Sequence, residues 1–280
     1  MTEHAGSRIG QIILGAIVLS LSLPLLVMYI WLVESAFSRI TYGIIPQGFT
    51  LSNWRFLWEG FANMPSIWRI TWNTLVFAVV VAIIEVLIAS LTGYALSRMK
   101  FPGRRMFLSL TLILHAFPAV TLLIAIFYVL LVLGLYDTLV GVIMVKAALE
   151  LPLGVWIMKG FFDNISWDME MSALIDGCSR LRTWWEILLP NIRPGIAALS
   201  IFAFLSGWSE FLLPFIYTSS FENFTLSVLL KRLVGDFRFV DYGLLTATGL
   251  YYMMPVLLFF IFTQEYLLNI YAGGTKGTTV

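Results

Sequence analysis

The chain has 280 residues, of which 60% are hydrophobic and only 12% are charged, whereas soluble domains carry about 25% charged residues. A water-facing globule of this length is therefore excluded, and the formal net charge of +1 gives no bulk attraction for nucleic acid. The one cysteine, Cys178, excludes an intramolecular disulfide framework and a multi-cysteine zinc site, so the composition predicts a polytopic membrane protein in contact with lipid.

Six apolar runs are long enough to cross a bilayer, because about 20 apolar residues span its hydrocarbon core as a helix. In chain order they are residues 9–33, 74–97, 106–136, 138–158, 195–221 and 242–264. The runs lack the period-two alternation of barrel strands, which favours helices. The first run exceeds the 7–15 apolar residues of a secretory signal and is predicted to be an uncleaved anchor. The predicted fold class is all-α with six transmembrane helices.

The connections between the runs predict which side each of them faces. Six spans place both termini on one side, and segments on that side hold ten Lys or Arg residues against six on the other. Because cytoplasmic loops carry the excess of basic residues, both termini are predicted to be cytoplasmic. Residues 54–72 contain four tryptophans among charged residues, which predicts an interfacial segment on the outer side.

These connections divide the chain into three predicted parts. Residues 1–71 form the first transmembrane helix and the outer interfacial segment, residues 72–271 form the core of helices 2–6, and residues 272–280 form a cytoplasmic tail. Within the core, residues 136–138 leave room only for a tight hairpin between the third and fourth spans.

The most informative connection is the cytoplasm-facing loop at residues 161–194. Ser166 is an N-cap residue with an acidic residue soon after it, so residues 168–175 predict a short helix. Gly177 then provides the left-handed or closely packed backbone that ends such a helix.

A second helix of this loop is predicted to begin at Ser179 or at Thr183, where Thr183 and Glu186 would form a capping box. It is predicted to end at Pro190. Two tryptophans and two aliphatic residues give this helix more apolar surface than a solvated loop tolerates, namely Trp184, Trp185, Ile187 and Leu188.

The loop resembles the EAA loop of binding-protein-dependent ABC importer permeases, in which a Glu, two small residues and a Gly precede Ile-x-Leu-Pro. In that family the loop docks onto the ATP-binding subunit. The resemblance assigns ATPase coupling to Glu170, Ser172, Ala173, Gly177, Ile187, Leu189 and Pro190. Met171 and Ser172 depart from the family pattern, which often has a second acid and an alanine there.

Further segments carry the resemblance along most of the chain. Residues 72–75 are similar to the start of the family's second span, residues 93–105 to its second cytoplasmic turn, and residues 151–162 to its carbohydrate branch. The C-terminal segment resembles the tail of the maltose-type second permease, which reaches between the ATPase subunits. The resemblance assigns this contact to Gly273, Gly274, Lys276 and Gly277.

The resemblance implies a permease subunit in the bacterial cytoplasmic (inner) membrane that carries a sugar, glycoside or polyol. The implied partners are a second homologous permease, two ATP-binding subunits, an extracytoplasmic solute-binding protein and membrane lipid, but no nucleic acid. ATP and Mg are expected in the partner subunits and no cofactor in this chain.

Polar residues inside the predicted spans are candidates for the substrate pathway, because charged groups in a bilayer are costly. The candidates are Glu210, Trp208, Glu150, Lys146 and Asn73. A structural role is the alternative. Lys146 and Glu150 are four residues apart and would also form a buried ion pair between packed helices, and Glu210 would form a hydrogen bond to a neighbouring helix. Glu85 and His115 each stand alone and are predicted to be hydrogen-bonded in the interior, not metal ligands.

No catalytic or metal centre is predicted. The chain has no G-x-x-x-x-G-K-[ST] phosphate loop, so ATP hydrolysis belongs to another polypeptide. One alternative is a proton-coupled secondary transporter, which would use a relay of intramembrane residues, namely Glu85, His115, Lys146, Glu150 and Glu210. The other alternative is a scaffold that transports nothing.

Overall fold

The structure is a computed structural model that describes residues 2–42, 45–61, 64–235 and 240–273. Side chains are described in these ranges except at residues 2–9, 12, 40–42 and 265–273. The chain divides into two compact units. One lies within Met1–Ala62 and Leu230–Pro255, and the other within Asn63–Leu229 and Val256–Val280.

The first unit begins with helix α1 (Thr2–Ala36), whose central apolar side chains are exposed, as expected for a helix that faces lipid. A hairpin of β1 (Ser38–Tyr42) and β2 (Ile45–Phe49) follows, with Ser38 paired to Phe49 in antiparallel register. This hairpin was not predicted, although Ile and Thr in β1 are residues that favour strands. A 3₁₀ turn at Ser52–Leu57 comes next.

The side chain of Asn53 and a row of aromatic rings hold this unit together. The Asn53 amide donates to the carbonyl oxygens of Ala36 at 3.1 Å and Ser38 at 2.9 Å. Ring centroids are 5.3 Å apart between Phe37 and Trp54 and 6.0 Å apart between Trp54 and Phe56. The turn is thereby fixed beside the hairpin.

The second unit is built on three helices: α2 (Ile67–Arg98), α5 (Leu139–Asp163) and α9 (Arg193–Trp208). Glycines allow close approach of their backbones. A β-carbon on Gly93 would lie 2.8 Å from the backbone nitrogen of Lys159, and one on Gly207 would lie 2.8 Å from the α-carbon of Ala78. Small residues at such contacts are typical of helices that pack within a membrane.

The predicted third span is broken into α3 (Arg104–Ala116) and α4 (Ala119–Val132), which meet at 100°. The chain bends here because Pro118 follows Phe117. A residue before proline avoids the helical region, and Phe117 is extended, with φ −76° and ψ 127°. The connection from α4 to α5 covers residues 133–138, longer than the predicted residues 136–138, and Thr138 caps α5 by accepting from the Gly141 amide at 3.0 Å.

The predicted fifth span is also broken. Helix α9 follows the preceding loop helix at an angle of 83° and ends at Trp208. A second short helix, α10 (Leu212–Tyr217), begins after a gap of three residues. Residues 218–220 leave the helical conformation, and a 3₁₀ turn follows at Phe221–Asn223. Glu210 in the gap accepts from the Leu213 amide at 3.1 Å and so supplies the acceptor for the start of α10.

The remaining helices complete the described chain. They are α6 (Trp167–Ile175), α7 (Arg180–Thr183), α8 (Leu189–Asn191), α11 (Leu226–Val234) and α12 (Tyr242–Gly273). Over the described residues, four helices are long and apolar enough to cross a membrane, and the number is six if each bent pair is one span. The helical membrane architecture is therefore confirmed, while the cytoplasmic placement of the termini stays a prediction.

Candidate functional site

The loop between α5 and α9 forms two helical arms around Gly177, and we call Trp167–Asn191 the elbow. Its first arm is α6, as predicted, with Ser166 accepting from the Asp168 amide at 3.2 Å. The arm ends in a Schellman motif, because the Cys178 amide donates to Ala173 and the Gly177 amide donates to Leu174. Gly177 has φ +85°, with open space around its α-carbon. Backbone conformation, not close packing, therefore requires the glycine.

The second arm begins at Ser179, which accepts from the Arg182 amide at 3.3 Å. The alternative start at Thr183 was wrong: Thr183 is already helical and buried, and its hydroxyl donates to the Ser179 carbonyl at 3.0 Å. Glu186 pairs instead with the exposed Arg182 at 2.9 Å. The arm continues through a π-helical turn, Trp184–Leu188, into α8, so it ends one residue beyond Pro190.

Glu170 fixes the first arm to α2. Its side chain is fully buried, and Tyr94 Oη donates to its Oε1 at 2.9 Å. Arg98 Nε lies 3.5 Å from Oε2, and Arg180 Nη1 lies 3.6 Å from Oε1. Two guanidinium groups thus compensate a carboxylate that burial would otherwise strongly destabilise. The acidic residue of the motif is therefore an internal anchor of the elbow and not an outward-facing contact.

Arg98 extends this anchor to the end of α5. Its Nη2 donates to the carbonyl oxygens of Phe162 at 2.7 Å and Ile165 at 2.6 Å. Its guanidinium carbon lies 4.7 Å from the ring centroid of Trp167 at the start of α6. From the sequence, Arg98 served to orient the chain and as part of the resemblance at residues 93–105, and no contact was predicted for it. The i, i+4 spacing of Tyr94 and Arg98 places both on one helical face and was the available signal.

The inner face of the elbow packs into the core of the second unit. Trp184 and Leu188 are buried with Met158 and Phe162 of α5, and Ile187 and Leu189 pack against the same cluster. Of the remaining predicted coupling residues, Ala173 is buried, Pro190 is half-buried, and Ser172 and Gly177 are exposed. The predicted set is therefore divided between an anchoring face and an exposed turn.

The outer face of the elbow carries exposed apolar side chains. Ile175 is 85% exposed, Leu181 66% and Trp185 62%, and Met171 is also exposed. Apolar side chains of this size at a surface mark an interaction site, since their contact with water is unfavourable. The apolar character of the second arm was predicted from the sequence, but no role was predicted for Ile175 or Leu181.

The predicted tail lies largely outside the described residues. Helix α12 is described to Gly273, whereas Gly274, Lys276 and Gly277 fall beyond that point. The contact assigned to them stays a prediction.

Four ionisable residues in the second unit form what we call the lysine cluster: Lys146, Glu150, Glu210 and Glu85. Lys146 Nζ lies 2.9 Å from Glu150 Oε1 and 2.6 Å from Glu210 Oε2. Glu150 also accepts from the Ser206 hydroxyl. The predicted pairing of Lys146 with Glu150 is present, and Glu210 joins it from the gap between α9 and α10.

Glu85 does not stand alone, contrary to the sequence-based expectation. Its buried carboxyl group interacts electrostatically with Glu150 and Lys146. A β-carbon on Gly154 would lie 2.7 Å from Glu85 Oε1, so the glycine makes room for this carboxyl group. Among the described residues, Glu85 Oε2 and Glu150 Oε2 are buried without a hydrogen-bond partner.

Two cavities border the lysine cluster. One of about 430 Å³ is lined by Pro118 at the break between α3 and α4, by His115, and by Lys146, Glu150 and Glu210. The other, of about 380 Å³, is lined by Glu85, His115, Glu150 and Ser206 among apolar residues. His115 therefore lines the same cavities as these acidic residues. Its side chain is exposed, not interior as predicted, and makes no hydrogen bond among the described residues. Within the described chain, no group of three or more His, Cys, Asp or Glu is arranged to hold a metal ion.

The other two predicted pathway residues lie outside this cluster. Trp208 is buried. The Asn73 amide donates to the carbonyl oxygens of Glu222 at 2.6 Å and Phe224 at 3.0 Å, so it fixes the turn that follows α10. Their assignment to a substrate pathway stays a prediction.

Comparison with known proteins gives a consistent set of matches. Residues 85–268 match the family described as binding-protein-dependent transport system inner membrane component. A diacetylchitobiose uptake system permease protein of Streptomyces coelicolor is 30% identical, over 93% of this chain and 87% of that protein. A galactooligosaccharides transport system permease protein of Bacillus subtilis is 32% identical, over 86% of this chain and 85% of that protein.

The fold has a solved counterpart. A chain from the crystal structure of a bacterial ABC transporter involved in the import of the acidic polysaccharide alginate matches with a TM-score of 0.77 at 20% identity. The match covers 95% of this chain and 98% of that one.

Proposed function

This chain belongs to the family of binding-protein-dependent transport system inner membrane components, and we propose that it forms part of the pathway for a carbohydrate across the inner membrane. It does so as a permease subunit of an ABC importer. The family consists of transport components, not enzymes, in agreement with the prediction that ATP is hydrolysed elsewhere. The proton-coupled alternative finds no support among the relatives, which are permeases of uptake systems.

The substrate class follows from the relatives. Their names specify diacetylchitobiose and galacto-oligosaccharides, and the alignments cover more than four fifths of each protein. We propose that the substrate of this chain is likewise a sugar or glycoside. A polyol, which the resemblance also implied, has no counterpart among these names.

The partners follow from the family description, which requires a solute-binding protein. We propose in addition a second homologous permease, which completes the pathway, and two ATP-binding subunits, which hold ATP and Mg. No cofactor is proposed for this chain.

The elbow is the proposed contact for an ATP-binding subunit. The observation that carries this proposal is its division into two faces: an outer face with exposed Ile175, Leu181 and Trp185, and an inner face anchored by Glu170. A partner bound to the outer face would move α6 and, through Glu170, the side chains of Tyr94 and Arg98 on α2. Because Arg98 also bonds the end of α5, the displacement would reach both α2 and α5. The tail at Gly273–Gly277 is proposed as a second contact.

The cavity beside the lysine cluster is the proposed part of the substrate pathway within this chain. Carboxyl and ammonium groups there are of the kind that bond sugar hydroxyl groups, and the helix breaks at Pro118 and Glu210 border the same space. Trp208 and Asn73 are proposed to support this region.

The test removes the apolar side chains of the outer face. In the assembled transporter, Leu181→Ala with Trp185→Ala is expected to lower substrate-stimulated ATP hydrolysis at least tenfold, because the binding contact is lost. The control, Leu14→Ala with Trp58→Ala, removes side chains that are 62% and 65% exposed in the first unit and is expected to leave the activity unchanged. Full stimulation in the elbow variant, with normal insertion, would overturn the proposal.

A further inference from the structure

A basic cleft of about 730 Å³ lies where α2 ends, α3 begins and α5 ends. Four cationic residues line it: Lys100, Arg104, Arg105 and Lys159. The function proposed above uses none of them, and neither the elbow contacts nor the lysine cluster includes them.

The charge in this cleft is only partly compensated. Lys159 pairs with Asp163, which also accepts from Ser97 at 2.6 Å. Arg104 Nη2 donates weakly to the Ser97 carbonyl at 3.4 Å, while its buried Nε has no partner among the described residues. Four cations therefore face one carboxylate, and an anion would be attracted to the remaining positive charge.

Lys100 and Arg105 are the two cations free to bind a ligand. Both side chains are exposed, and in the described part of the chain neither makes a hydrogen bond or an ion pair. They flank the turn Phe101–Arg104, in which Gly103 has φ 84° and ψ −3°, the conformation of the third residue of a type II turn. The turn places Lys100 and Arg105, one on each side of it in the sequence, in the lining of the same cleft.

Apolar side chains adjoin the same charges. Phe101 and Met106 line the cleft and are exposed, and Phe107 beside them is exposed as well. Helix α3, which begins at Arg104, is the first half of a bent pair that is apolar enough to cross a membrane. Basic residues next to apolar residues at the start of a span are typical of the level of lipid headgroups.

We propose that the phosphate of an anionic phospholipid binds in this cleft, held by Lys100 and Arg105 in front of Arg104 and Lys159, with its acyl chains against Met106. The exposed apolar side chains favour a lipid over an acidic protein surface, since the latter would leave them in water. The proposal is independent of the transported substrate and of the elbow contact.

The test measures retention of lipid by the purified assembly in neutral detergent, after exposure to equal amounts of phosphatidylglycerol and phosphatidylcholine. Lys100→Gln with Arg105→Gln is expected to retain at least tenfold less phosphatidylglycerol, at roughly fivefold for each charge removed, with unchanged phosphatidylcholine. Lys100→Arg with Arg105→Lys keeps the charges and is expected to retain the lipid.

The control is Arg39→Gln with Lys231→Gln, which removes one arginine and one lysine that are also exposed but lie in the first unit. Equal retention of phosphatidylglycerol by the cleft variant and this control would overturn the proposal. Displacement of the lipid by inorganic phosphate at the same phosphate concentration would also overturn it, in favour of a free-anion site. Loss of the ATP-binding subunits from the cleft variant with full lipid retention would assign the cleft to a protein contact instead.

Discussion

At the elbow one buried carboxylate, Glu170, lies between two guanidinium groups, whereas in the lysine cluster one ammonium group, Lys146, lies among three carboxyl groups. At the elbow the surplus positive charge is stabilised by backbone carbonyl groups and an indole ring around Arg98, so the joint is fixed. In the cluster the surplus charge is negative. Glu85 Oε2 and Glu150 Oε2 have no hydrogen-bond partner among the described residues; at the elbow Glu170 Oε2 has none either, although Arg98 Nε lies 3.5 Å from it.

The difference distinguishes two uses of buried charge. A carboxylate surrounded by cations holds two helices together, and its removal weakens that one helix contact. A lysine surrounded by carboxyl groups is the central charge of its site, and the unpartnered oxygens are acceptors that a hydroxylated substrate or a proton would satisfy.

The largest expected effect is that of Lys146→Met. Glu150 and Glu210 would remain in the interior without their cation, which is expected to cost about 3–5 kcal/mol of stability. Thermal unfolding of the purified assembly measures this loss. Addition of Glu150→Gln and Glu210→Gln to the same chain is expected to restore most of the stability. An unfolding temperature unaffected by Lys146→Met would show that the lysine is not central to the cluster.

A smaller effect is expected for Glu170→Ala. Arg98 would lose its counter-charge but keep its two backbone carbonyl partners, so we expect a cost of about 2–3 kcal/mol. The matched variant Arg180→Gln removes a half-exposed partner of the same carboxylate and is expected to cost less than about 1 kcal/mol. If thermal unfolding shows that Arg180→Gln lowers the stability as much as Glu170→Ala does, the structural role assigned to the buried carboxylate is wrong.

The smallest effect is expected for Glu85→Gln. This change keeps the volume of the side chain and removes one of three acidic groups around Lys146, so stability is expected to stay within about 1 kcal/mol or to rise. Its control, Glu150→Gln, weakens a direct ion pair and is expected to be destabilising. If thermal unfolding shows a larger loss of stability for Glu85→Gln than for Glu150→Gln, the carboxylate of Glu85 is paired with a positive charge in the folded protein.

Outside the membrane, Asp137 shows how a connection is stabilised by hydrogen bonds. Partial burial acts to raise the pKa of its carboxyl group, but hydrogen bonds from Ser220 and Ser219 outweigh burial, and the net pKa is lowered. Its backbone has φ 59°. The carboxylate therefore joins the α4–α5 connection to the residues after α10, a contact that short sequence spacing did not reveal.

Much of the architecture was readable from local patterns. Apolar length located the spans, and Ser166 and Gly177 located the first arm of the elbow because capping and left-handed backbone depend on single residue types. Hydropathy did not locate the breaks at Pro118 and Glu210, since it averages over the few residues at which a helix changes direction.

Composition and spacing alone determined that this protein is helical, lies in a membrane and carries a glycine-centred elbow, because apolar runs and caps act over a few consecutive residues. Only the tertiary structure decided the roles of the charged residues. Lys146 and Glu210 are 64 residues apart and Tyr94 and Glu170 are 76 apart, and a charge has a defined role only when the chain brings its partner within bonding distance.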